Sequence, residues 1–79
     1  MELEELMESV SPDTLVRVVS LDDEIAVVLA SDFAAGDPGI MDILAPLRRR
    51  KVCDVSHGVS EDPISPNDKL PTVWAELEE

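Results

Sequence analysis

Cys53 and His57 are the chain's one thiol and one imidazole, and they stand four residues apart. On a strand, even spacing puts two side chains on one face. There they could serve as two soft metal ligands, or as a nucleophile and its base. Neither set is complete. A zinc site needs a second ligand pair, and a reactive thiol needs an orienting group and a pocket. The plainer reading is a partly buried thiol and an exposed imidazole near a loop. Asp22, Asp23 and Glu24 could bind a hard cation, but the alternating acids, Gly and distal Glu of a calcium loop are missing. They read as a solvated hairpin tip. Arg48-Arg49-Arg50-Lys51 could contact phosphate or act as an import signal. A charge cluster at a helix terminus, free to pair with the chain's own acids, is favoured, and without interleaved aromatic residues it does not indicate a single-strand stacking platform. The expectation is therefore no catalytic residue, no metal and no cofactor.

Charge is the stronger signal. Eighteen acids stand against six Lys and Arg in 79 residues, for a net charge of −12 and a pI near 4.1. A single domain of this size cannot bury so many charges, so they must cover its surface. Such a surface repels nucleic acid and anionic lipid and attracts basic proteins, foremost those that handle nucleic acid. Density limits the idea of a DNA mimic. A surface of roughly 4,700 Å² gives about one net charge per 390 Å². Duplex DNA carries roughly one per 110 Å² of its cylinder. Mimicry therefore requires the acids to gather on one face. The candidate gatherings are Glu2, Glu4, Glu5 and Glu8, the tip Asp22, Asp23 and Glu24, and Glu76, Glu78 and Glu79 at the chain end.

The elements that position these groups follow from apolar spacing. Leu3, Leu6, Met7 and Val10 form one helical stripe, ended by Ser11-Pro12-Asp13. Leu15–Val19 and Ile25–Ala30 read as an antiparallel hairpin, the second run as a central strand covered on both faces. Ser31-Asp32 could cap a turn beginning at Phe33. Asp37-Pro38 is a helix start, with Ile40, Ile43, Leu44 and Leu47 facing the core and a kink or stop at Pro46. Val52–Ser56 is a third, weaker strand. A loop over 58–71 carries Pro63, Pro66 and Pro71. Thr72–Leu77 is a fourth strand, with Val73, Ala75 and Leu77 on one face and Thr72, Trp74 and Glu76 on the other. Trp74 then points outward as an interface anchor, or it lies under a helix or the loop; both readings stay open. The fold class is α+β: a short N-terminal helix, an antiparallel sheet of about four strands and one middle helix packed on it.

With few aromatics and no disulfide possible, the core must come from Val, Ile, Leu, Ala and Met. A lone Cys, no membrane-length apolar run and an acidic N-terminus suggest a soluble intracellular protein. The layout of residues 2–50 carries a family likeness. It combines the Leu-Glu-Glu-Leu helix, Ser-Pro-Asp-Thr before a Val-rich strand, an acidic hairpin, and Ala-Ser-Asp-Phe opening a helix. It resembles small acidic orphan proteins of phages and mobile elements, among them anti-CRISPR inhibitors. The resemblance implies a non-enzymatic inhibitor, acting in the cytoplasm of a bacterial host, that occupies the nucleic-acid channel of a Cas effector, with no direct nucleic-acid or membrane contact. The expected contacts are Glu2, Glu4, Glu5 and Glu8, or Asp22, Asp23 and Glu24, with Trp74 as anchor. The alternative is an assembly module that self-associates, for instance as a homodimer, through a sheet edge or the Trp74 face.

Overall fold

Helical spacing at the start of the chain produces α1 (Leu3–Ser9), whose Leu3, Leu6 and Met7 are buried and whose Val10 packs beside them. The computed structural model describes residues 1–21, 23–62, 65 and 67–78. The β-branched runs form β1 (Leu15–Ser20) and β2 (Asp23–Leu29), paired antiparallel as expected. Leu21 turns the chain between them at φ 53°, a left-handed conformation that a Leu side chain disfavours. α2 (Ala30–Ala35) follows directly from β2. It ends at Gly36 (φ 74°), whose lack of a Cβ suits the left-handed C-cap. α3 (Pro38–Leu44) begins as its sequence dictates. The Asp37 carboxylate accepts from the Gly39 and Ile40 amides at 3.0 and 3.2 Å, and Pro38 occupies the first turn. The helix stops at Ala45, before Pro46. Two long strands close the fold, β3 (Val52–Glu61) and β4 (Lys69–Leu77).

The fold is α+β, and the four strands form one sheet in the order β2-β1-β4-β3. The sheet is mixed rather than purely antiparallel, because β4 returns beside β1 and runs parallel to it. Nothing local in the sequence encodes that choice. It follows from how α2, α3 and the turns after them carry the chain across the sheet. The same order corrects the reading of Ile25–Ala30. The run is an edge strand whose Ile25 is 42% exposed, and Ala30 already belongs to α2. The 58–71 loop is also shorter than expected, since β3 runs on to Glu61 and β4 begins at Lys69. Its Pro63 and Pro66 lie outside the described residues. Pro71 is tolerated within β4 because it pairs with Val59 beyond the last β1 partner, Thr72.

All three helices lie on one face of the sheet. Val16, Val18, Ala26, Val28, Val73, Ala75 and Leu77 present that face. Leu3, Leu6 and Met7 of α1, Phe33 of α2 and Leu44 of α3 cover it. Burying each such aliphatic side chain contributes about 1.5–3 kcal/mol. In the α3 stripe, Ile40, Leu44 and Leu47 pack inward as expected. Ile43 is 51% exposed, and Met41 takes the inward place instead. Among the described residues, no helix is long and apolar enough to cross a membrane.

Candidate functional site

Alternation along the strands sends a second set of residues to the face away from the helices. Arg17 pairs with Val27 and Trp74, and Trp74 pairs with Ser56, so these four form a row across the sheet. The next row runs Glu24, Val19, Glu76, Asp54. Two β-bulges make this row acidic. One places both Glu24 and Ile25 opposite Val19, and the other, at Cys53, turns Asp54 to the same side as Glu76.

The other end of this face is closed. Leu15 and Thr72 belong to it by register, yet they are 1% and 2% exposed. The Arg17 Nε donates to Ser60 Oγ at 3.3 Å, although β4 lies between their strands. Ser60 and Thr72 share a hydroxyl hydrogen bond of 2.6 Å. The β3–β4 hairpin therefore curls over that end, and the face is concave. Trp74 lies in the concavity, half-buried, with its indole against Gly58. A Cβ added at Gly58 would stand 2.8 Å from the ring. A side chain at position 58 would require the indole to shift.

The electrostatics of this face are unequal from strand to strand. Glu24 is held by Arg17, whose Nη1 donates to both carboxylate oxygens at 2.7 and 2.9 Å. Asp54 and Glu76 are both exposed and stand opposite each other across the β3–β4 ladder, and among the described residues neither forms an ion pair. Like charges so placed are destabilising. The Asp54 carboxylate accepts from the amide of Val55 at 3.0 Å.

The acids expected to make contact separate into distinct places. Glu4 is ion-paired with Arg48, and the amides of Leu3 and Glu4 donate to the carbonyls of Arg50 and Arg48. Glu2 forms a β-bridge with Lys51, and its amide donates to Glu5 Oε1 at 3.3 Å. The start of α1 thus lies against the basic run, which sits in turns after α3 rather than on a helix. A shallow concavity lined by Glu4, Ala45, Pro46, Arg48, Arg49 and Arg50 marks this junction. Glu8 remains exposed at the far end of α1. Asp23 is exposed at the hairpin, and Asp22 lies outside the described residues, as does Glu79.

Cys53 is exposed rather than partly buried, and the bulge at its position interrupts the alternation that would align it with His57. Among the described residues, no three His, Cys, Asp or Glu side chains converge as a metal site. Sequence reasoning missed Asp54. Counting outward from Val55 would have placed it beside Trp74 and Glu76, but counting from Val52 across an unseen bulge misplaces it. Compared with known proteins, the chain matches no family model, no curated protein and no solved structure.

Proposed function

We propose that this chain is a non-enzymatic inhibitor that docks, through the concave face of its sheet, on a basic protein that handles nucleic acid. A Cas effector is one such target. Trp74 serves as the apolar anchor, and Asp54 and Glu76 meet cationic side chains of the partner. The observation that carries this reading is the placement of two exposed carboxylates, without an ion pair among the described residues, opposite each other beside a half-buried indole. Their repulsion costs stability in the free protein and turns into attraction once a cationic side chain enters between them. Trp is also among the residue types enriched at interface hot spots.

Charge density favours a local contact over mimicry of a duplex. The accessible surface is 4845 Å², so the net charge of −12 spreads to about one per 400 Å², several-fold more dilute than DNA. The α1 acids are the weaker contact, because Glu4 is already paired with Arg48 and the start of α1 lies against the basic run.

The test is affinity capture from bacterial lysate, with the protein as bait at low and at high salt. A captured nucleic-acid-binding protein should be released by salt, should lose its nucleic acid when the inhibitor is added, and should be missed by the Trp74→Ala bait. The Asp54→Lys/Glu76→Lys bait should also miss it, whereas Glu8→Lys should still retain it. Capture unchanged by both site variants would remove this reading.

A further inference from the structure

We propose that β3 carries a second, separate interface: its free edge pairs with β3 of a second copy, about a two-fold axis through His57, to join two sheets into one. The interface does not depend on the concave face.

The direction of the β3 backbone groups can be read from two bonds. Beyond the end of the strand, the Asp62 amide donates to the Asp68 carbonyl at 3.0 Å, in continuation of the β3–β4 register. The Val55 amide, by contrast, is taken by the Asp54 side chain rather than by β4. Alternation then turns the even-numbered residues of this stretch toward β4 and the amides and carbonyls of Val55, His57 and Val59 outward. At its start the edge is already covered. The Val52 amide donates to the Met1 carbonyl at 2.8 Å, and Glu2 bridges Lys51. Among the described residues, the open edge therefore spans Val55 to Glu61.

That stretch lacks the usual protection of an edge. Val55-Ser56-His57-Gly58-Val59-Ser60 contains no acid, Lys or Pro, in a chain whose net charge is −12. Val59 is 61% exposed. The opposite edge differs, because β2 starts at Asp23-Glu24 and is bulged at Ile25.

A second copy fits this edge in one register. With the axis through His57, the residue pairs are His57 with His57 and Val55 with Val59 of the second copy, so outward backbone groups meet and the helix-side faces stay aligned. About four backbone hydrogen bonds form, and two more if Asp54 releases the Val55 amide. The exposed Val59 side chains gain Val55 as cover. Asp54 falls opposite Ser60 and Glu61 opposite Cys53, so no acid meets an acid. An axis through Gly58 would instead set Asp54 against Asp62 twice. The low charge of the segment is what lets two strongly anionic copies approach at this edge.

Light scattering after gel filtration, over a range of concentrations and salt, tests the proposal. The 8.6 kDa chain should shift toward twice its mass as concentration rises, and salt should strengthen the dimer by screening repulsion. Binding to a basic partner should respond to salt in the opposite sense, which separates the two readings. His57→Pro removes one outward amide without touching the β3–β4 ladder, so it should leave a monomer with unchanged circular dichroism. Register is tested by oxidation. Cys53→Ser/His57→Cys should form a covalent dimer, because residues facing each other across a ladder lie about 5.5 Å apart, within disulfide range. Cys53→Ser/Val59→Cys should not. A mass of one chain under all conditions, or equal cross-linking at positions 57 and 59, would overturn the proposal.

Discussion

The two faces of this sheet are built from the same strands and follow different rules. Toward the helices, Val16, Val18, Ala75 and their neighbours form a buried aliphatic layer. Away from them, one row carries Arg17 and Trp74 and the next carries Glu24, Glu76 and Asp54. The first face holds the fold together. The second sacrifices some stability, since it keeps two carboxylates in opposition and a large indole half-exposed. A surface that costs stability without contributing to folding is a place to look for function.

The comparison is broken most severely by moving the chemistry of one face onto the other. Val18 is 0% exposed, and Val18→Asp buries an unpaired carboxylate in the aliphatic layer, so the protein should fail to fold, as circular dichroism would show. A milder change on that face, Leu44→Ala, removes a 1% exposed side chain that joins α3 to the sheet. It should cost about 2–5 kcal/mol in urea denaturation. On the concave face, Gly58→Ala pushes a methyl group against the Trp74 ring and should cost about 1–3 kcal/mol. Most of that loss should vanish in a Trp74→Ala background, and additive losses would show that the indole is not packed there.

Smaller effects sharpen the contrast, because they run opposite to intuition. Asp54→Asn and Glu76→Gln each remove one half of a repulsive pair. Each should stabilise the free protein by about 0.2–1 kcal/mol while weakening partner binding. A loss of stability instead would show that the carboxylates are compensated within the fold. Leu21→Gly relieves a left-handed Leu and should gain at most about 1 kcal/mol, measured by thermal unfolding.

Legibility also divided between the two faces. The helix-side residues were readable wherever the period was undisturbed: Leu3, Leu6 and Met7 at helical spacing, and Val73, Ala75 and Leu77 at strand spacing, are all buried. The Asp37-Pro38 start and the stop before Pro46 were readable because caps and proline act on their own backbone. Ile25–Ala30 was misjudged because an apolar run does not reveal whether its strand is central or at an edge. Ile43 was misplaced on α3 because a helix of seven residues can turn either of two neighbouring stripes inward. The concave face was only half legible. Trp74 and Glu76 follow from simple alternation, whereas Asp54 reaches them through a bulge that leaves no mark in the sequence.

By itself, the order of residues determined which segments become helices and strands, most of the side chains that avoid water, and how anionic the surface must be. Those outcomes depend on period, on capping and on composition, all of which act within a few residues or over the chain as a whole. Tertiary structure alone decided that β4 inserts beside β1, that Glu4 of α1 pairs with Arg48, and that Asp54 joins Trp74 and Glu76. Each of those depends on contacts between segments far apart in the chain. Their partners are chosen by how the whole sheet pairs and curls, and no local pattern carries that information.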